Sequence, residues 1–334
     1  MNKKTTGYIT YVFLSIVFIV IPLLSPGVYY LHTLILTMMY IVLASSLRLI
    51  NLTGQLSLAH AGMLLIGSYT SALLVMKAGF SSWLALILSG VIAALFSAFL
   101  CTAFVKLKGI YFTMVTIFAG QIISLIIYQW AGLTNGASGI FGIPRPDPIR
   151  IPGIFNIAFN AKEPFYYLIF ILMLASLLII WFIEHSRIGM TFRGIQQTES
   201  LARSVGINTT GYKVAAFALG CFFSGLMGGF YSQYINTIDP VTFGFSFMIY
   251  TLIYMLVGGK GKFIGPIIGA IVLSLLPEFA RPLKNYEPFL FALILVVVIF
   301  LMPEGIVGLP QRLKYFYRKI IKGKISPNVE REKA

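Results

Sequence analysis

Asn51, Thr53, Gln55, Ser57 and His60 crowd the junction "NLTGQLSLAH" between two apolar runs. Amide, hydroxyl and imidazole groups at this density can hydrogen-bond a polar solute crossing an apolar body. They can equally serve a plain turn between two helices. The polar character continues into the next run with Ser68, Tyr69 and Thr70. On a helix His60 and Ser68, eight apart, share a side with Gly67 and Ser71. Thr113, Thr116 and Gln121 are candidates of the same kind, Gln121 again lying eight after Thr113. Two readings stand together. In one, Gln55, Ser57, His60, Ser68, Tyr69, Thr113 and Gln121 line a path for a polar cargo. In the other they bond helix to helix, and 51–57 is a cytoplasmic loop.

The chemistry that is missing narrows the choice. The acids are two Asp and eight Glu, and none falls at the middle of an apolar run. Proton and cation relays place ionisable side chains at membrane depth, so an ion-driven transporter is disfavoured. "GGKGKF" at 258–263 fails as a phosphate loop, because Leu256 and Phe263 stand where Gly and Ser or Thr are required. His32, His60 and His185 are far apart in sequence, and there is no metal cluster and no G-x-S-x-G elbow. The chain offers no catalytic constellation, no cofactor site of its own and no visible energy source.

The elements that must hold these residues are membrane helices. The chain has 334 residues, 58% hydrophobic and 10% charged, against roughly 25% charged in soluble domains. Charge-free stretches of about 20 residues suit a ~30 Å hydrocarbon core. The runs do not alternate as barrel strands do. The expected fold is an all-α polytopic membrane protein with about ten helices, eight if one hairpin is re-entrant. The expected spans are 8–24, 28–50, 58–78, 82–105, 109–129, 165–183, 213–235, 242–258, 263–280 and 288–303. The first apolar run is too long for a signal peptide and lacks its cleavage site. With both termini in the cytoplasm, 19 of the 25 Lys and Arg fall inside, as the positive-inside rule requires. This leaves one permease domain over 1–310, with an external loop at 130–164 and an inner loop at 184–212. The basic tail 311–334 suits an anionic lipid surface. The basic residues form no nucleic-acid domain. Cys101 and Cys221 sit in apolar runs and read as buried small hydrophobes. Gly220, Ser224 and Gly228, with Ala216, are spaced by four, as are Gly261, Gly265 and Gly269. Such rows let helices approach closely in lipid.

The inner loop contains a short amphipathic pattern. A helix over about 191–205 would put Phe192, Ile195, Ala202 and Val205 on one side. Glu199 stands four before Arg203, the favourable order for an ion pair. Gly206 is suited to stop the helix in a left-handed conformation. Such a helix can lie on the membrane or dock its apolar side into a groove on a soluble partner.

"GMTFRGIQQTESLARSVGINTTGYKVAAFALGCFFSGLMGG" resembles the cytoplasmic loop and following helix of the branched-chain amino acid ABC transporter permeases of LivM type. "NLTGQLSLAHAGMLLIGSYTSALL", "GLTNGASGIFGIPRP" and "LLPEFARPLKNYEPFLFALILVVVIFLMPEGIVGL" agree, so the likeness runs from about 29 to 310. It implies a non-enzymatic subunit of a bacterial inner-membrane importer for leucine, isoleucine and valine. The implied partners are a second, LivH-type permease subunit, two ATPase subunits that bind the ATP and Mg²⁺, and an extracytoplasmic substrate-binding protein. The family's coupling segment maps onto Arg187, Gly189, Phe192, Arg193, Ile195, Glu199, Ala202 and Gly206. This chain departs at Gln197 and Thr198, where relatives often carry acids. The alternative cargo is urea, a short amide or another small polar solute. The alternative class is an autonomous secondary transporter or channel.

Overall fold

The computed structural model describes residues 27–151, 155–280, 296 and 305–308. The expected first span 8–24, the basic tail 311–334 and, apart from residue 296, the expected last span 288–303 lie outside the described residues. Ten helices matter here: α1 Val28–Asn51, α2 His60–Met76, α3 Ser82–Phe104, α4 Ile110–Gln129, α5 Lys162–His185, α6 Arg187–Gln197, α7 Glu199–Ser204, α8 Thr209–Ile235, α9 Phe245–Gly258 and α10 Ile264–Ala280. Of these, α1, α3, α4, α5 and α8 are long and apolar enough to cross a membrane; α2, α9 and α10 are shorter apolar helices. The chain is a multi-pass helical membrane protein.

Polar and glycine punctuation sets the helix ends. Ser81 caps α3, its Oγ accepting from Leu84 N–H at 3.4 Å. Asn208 caps α8 by accepting from Gly211 N–H at 3.1 Å. Asn236 ends α8 in the left-handed region at φ 63°. Side-chain oxygens at N-caps satisfy donors that the helix cannot.

The described residues fall into two compact units, one up to Leu252 and one from Ile253. In the first, α8 is the central helix. It packs against α3, α2 and α1, and α1 packs in turn on α5. The crossings are close because the residues are small. A Cβ on Gly225 would overlap Ala93 and the Ser89 carbonyl, and one on Gly228 would overlap the Leu64 carbonyl. Ser224 donates from Oγ to the His60 carbonyl at 2.7 Å, and Gly220 lies against Ile50 and the Ser46 carbonyl. In lipid there is little hydrophobic gain between helices, so close packing and hydrogen bonds must hold them. In the second unit, Gly258 meets Gly265, and Gly269 meets Tyr254 and Gly258. Gly261 differs from its expected packing role. It sits in the turn before α10 with open space where a Cβ would be, because the helix starts only at Ile264.

The segment 130–164, expected as an external loop, adds short strand pairings to the helical fold. Ile140–Phe141 pairs antiparallel with Thr237–Ile238, and Ile149–Ile151 with Phe155–Ile157. Its charges are not merely solvated. Asp147 Oδ2 accepts from the Ser82 N–H at the start of α3 at 3.0 Å. Arg145 Nη1 donates to the carbonyls of Phe159 and Asn160 at 3.2 and 2.8 Å.

Candidate functional site

The ends of α1, α3 and α5 and the starts of α2, α4 and α8 gather at one end of the first unit, beside α6 and α7. Two features are built there.

The first is the break between α1 and α2. Residues 52–59 are not helical, yet Thr53, Gln55, Ser57 and His60 are all buried. This is a tight connection packed inside the bundle, between two helices that run along α8 in opposite directions, rather than an exposed loop. Buried backbone without a helix needs partners, and α4 supplies them. Thr113 Oγ1 donates to the Leu56 carbonyl at 2.8 Å, and Thr116 Oγ1 accepts from Leu58 N–H at 3.1 Å. Gln55 Nε2 reaches the Val105 carbonyl at 3.4 Å. His60 Nε2 shares a hydrogen bond with Ser46 Oγ at 3.1 Å. Ser57 Oγ accepts from Ala59 N–H at 3.1 Å.

The other proposed path residues have mixed fates. Ser68 Oγ donates to the carbonyls of Leu64 and Gly228 at 2.8 and 2.9 Å, which joins α2 to α8. Gln121 is exposed, because the covered row of α4 is Phe112, Thr116, Gly120, Ile123 and Ile127. One step beyond Gly120 turns Gln121 about 100° off that row. Among the described residues, the buried polar atoms without a hydrogen-bond partner are Ser45 Oγ, Gln55 Oε1, His60 Nδ1 and Tyr69 Oη.

The second feature is the appendage formed by α6 and α7. The expected single helix over 191–205 is two helices, broken at Thr198, which is extended at φ −152°, ψ 96°. Phe192, Ile195 and Ala202 are buried, whereas Val205 is 70% exposed. The break redirects α7 and takes Val205 off the apolar side. That side is covered by this same chain, with Phe192 edge-on to Tyr212 at 6.3 Å between ring centroids, so it does not face a partner. The outward surface carries Arg187, Ile188, Met190, Arg193, Leu201 and Val205. Ser186 caps α6 by accepting from Ile188 N–H at 3.2 Å. A Cβ on Gly189 would strike the carbonyls of Ile183 and Glu184, which is how α6 can fold back against the end of α5. Gly206 adopts φ 84°.

Two carboxylates fasten this appendage. Glu184 is 1% exposed and pairs with the guanidinium of Arg48, itself 4% exposed; its second oxygen lies 3.5 Å from Arg193 Nη2 on α6. Glu199 Oε2 lies 2.8 Å from Lys213 Nζ on α8 and 3.8 Å from Lys108 Nζ, and Oε1 lies 2.8 Å from Arg203 Nη2. Burial on its own would raise the Glu199 carboxyl. The hydrogen bond from Lys213 and the charges of Lys213, Arg203 and Lys108 outweigh it and hold the carboxyl below its usual range. Sequence reasoning paired Glu199 with Arg203 but missed Arg48–Glu184 and Lys213. The one signal was the placement of single charges at the ends of apolar runs, and it does not name their partners.

The chain matches the family model described as "Branched-chain amino acid transport system / permease component" over residues 29–303. It is 26% identical over 289 residues to the high-affinity branched-chain amino acid transport system permease protein LivM of Salmonella typhimurium, covering 81% of this chain and 68% of that protein. It is 21% identical over 284 residues to the LivH permease protein of Escherichia coli, covering 78% and 88%. It is 24% identical over 197 residues to the nucleoside ABC transporter permease protein NupC of Lactococcus lactis, covering 55% and 60%. No solved structure matches.

Proposed function

The chain belongs to the branched-chain amino acid transport system permease family, and on that footing we propose that it is one transmembrane subunit of an ATP-binding-cassette importer. The cargo is leucine, isoleucine and valine, moved across a bacterial cytoplasmic membrane. A LivH-type subunit completes the pathway, and two ATPase subunits hold ATP and Mg²⁺ and hydrolyse the nucleotide. An extracytoplasmic binding protein delivers the cargo. The family match over 29–303 carries this reading.

The α6 end of the molecule faces the cytoplasm in this scheme. Arg48, Lys106, Lys108, Arg187, Arg193, Arg203 and Lys213 gather there, in keeping with the positive-inside rule. The ATPase meets the outward surface of α6 and α7, where exposed Ile188, Met190, Leu201 and Val205 alternate with Arg187 and Arg193. Closure of the ATPases pushes this surface, and the ion pairs carry the push into α1 and α8. Cargo passes where polar atoms are buried without partners, at Ser45, Gln55, His60 and Tyr69.

The likeness to a nucleoside permease over 55% of the chain supports a second cargo class, another small polar solute bearing hydrogen-bonding groups. Uptake of radiolabelled leucine and uridine by proteoliposomes separates the two. The vesicles contain this chain, its sister permease, the ATPases and the binding protein. ATP-dependent, vanadate-sensitive leucine uptake is expected. Accumulation of solute against a gradient by this chain alone would sink the importer scheme.

A further inference from the structure

We propose that Glu184 is a positioning residue that makes α6 and the last turn of α1 move as one body during transport and pass that motion to the non-helical stretch that follows. This rests on the importer reading above and assigns it a specific joint.

The geometry places three contacts on one line. Arg193 of α6 reaches Glu184 at 3.5 Å, and Glu184 pairs with Arg48 one turn before the end of α1. Gln196, one turn further along α6, donates from Nε2 to the Asn51 carbonyl at 3.0 Å. Gly54 then sits against Gln196, 3.5 Å from its Cα to where a Cβ would be built. So α6 grips the last turn of α1 and the first residues of the break, and nothing longer than one helical turn separates the contacts.

The chemistry makes the grip stiff. Glu184 and Arg48 are nearly free of water, and separating a buried pair leaves uncompensated charge in a medium of low dielectric. Such a joint translates as a unit rather than stretching. The break beyond it can yield. Leu52, Thr53 and Gly54 still bond back to α1, but residues 55–58 have no such backbone bonds, and several of their polar groups depend on Thr113, Thr116 and Val105 of neighbouring segments. A push on α6 therefore reaches Gln55, Ser57 and His60, the stretch that carries unpartnered polar atoms.

The test uses the complete importer in proteoliposomes, with leucine uptake and ATP hydrolysis read on the same vesicles. The wild-type assembly is measured first. If it fails to couple uptake to hydrolysis, the importer reading falls, and this joint with it. With a coupled wild type, Gln196→Ala removes α6's hydrogen bond to the Asn51 carbonyl while leaving Arg193 and the buried Arg48–Glu184 pair in place. Gln196 is exposed, so the variant should fold. Uptake per ATP is expected to fall about fivefold or more with hydrolysis within about twofold of wild type, the size of effect seen for residues along coupling routes. Arg48→Met with Glu184→Leu, which leaves Arg193 without its carboxylate, should lower the same ratio. Parallel loss of uptake and hydrolysis, or an unchanged ratio, would overturn the assignment.

Discussion

Ser68 donates a hydrogen bond to the carbonyl of Gly228 at 2.9 Å, at a crossing where α2 and α8 approach too closely for a Cβ on Gly228. Side-chain hydrogen bond and glycine contact therefore serve the same crossing, and their removal should have unequal effects. Ser68→Ala removes one interhelical bond, worth about 0.6–2 kcal/mol in membrane helices. Gly228→Val forces backbone apart, and overpacking costs about 1–3 kcal/mol or more. Heating the detergent-solubilised assembly and following the monodisperse fraction should rank Gly228→Val well below Ser68→Ala.

Glu184→Gln should be among the most damaging single changes. It leaves Arg48 buried without this carboxylate, and breaking such a pair costs about 3–5 kcal/mol. The double change Arg48→Met with Glu184→Leu should restore much of the stability, since an apolar pair of similar volume often replaces a buried ion pair without loss. Membrane-inserted yield and thermal stability check both. A double variant as unstable as Glu184→Gln would argue against this account.

Leu201→Asp and Val205→Asp lie on the uncovered surface of the appendage, at 63% and 70% exposure. They should leave the subunit inserted and thermally stable. Their effect should fall on the ATPase instead, weakening its co-purification by about tenfold, the scale of a contact worth 1–2 kcal/mol. Ala202→Asp, by contrast, buries a charge and should destabilise the subunit itself. Equal retention of the ATPase by Leu201→Asp and wild type would move the docking surface elsewhere.

Glu199 predicts an acid dependence with a defined sign. Its carboxyl is held below its ordinary value of 4.5 in the folded state. Its contribution is therefore fully present above the unfolded value and lost as pH falls through the lowered folded one. Thermal stability should decline below about pH 4.5, and Glu199→Gln should flatten that part of the profile while lowering the plateau. A profile unchanged by the substitution would remove Glu199 from this role.

Gly206→Ala tests the end of α7. The residue adopts φ 84°, and a side chain there costs about 1 kcal/mol. Nothing lies within 4 Å of the position its Cβ would take, so the loss should reflect backbone strain alone. Gly206→Asn should recover part of it in the same thermal assay, because Asn tolerates the left-handed region.

Much of this protein is legible in its sequence. Eight expected spans coincide with described helices to within a few residues, because a run's hydropathy and length suffice to match it to a bilayer. The capping residues and Gly206 act locally and can be read locally. The interior of the site was less legible. A period of four in Gly261, Gly265 and Gly269 looked like one helix face, but the chain turns before Ile264. Gln121 kept step with Thr113 on paper, and the covered row of α4 is instead the one through Thr116 and Gly120.

Residue order alone decided where the chain is apolar enough to cross, where it must break, and that Glu199 and Arg203 would meet one turn apart. Which charges are buried was decided elsewhere. Arg48 and Glu184 are 136 positions apart, and only the packing of α1 on α5 brings them together. The same folding turned Phe192, Ile195 and Ala202 inward and left Leu201 and Val205 outside. Local hydropathy reports a helix's match to lipid, whereas partner choice depends on helix rotation and crossing, which are set by small-residue contacts between distant segments.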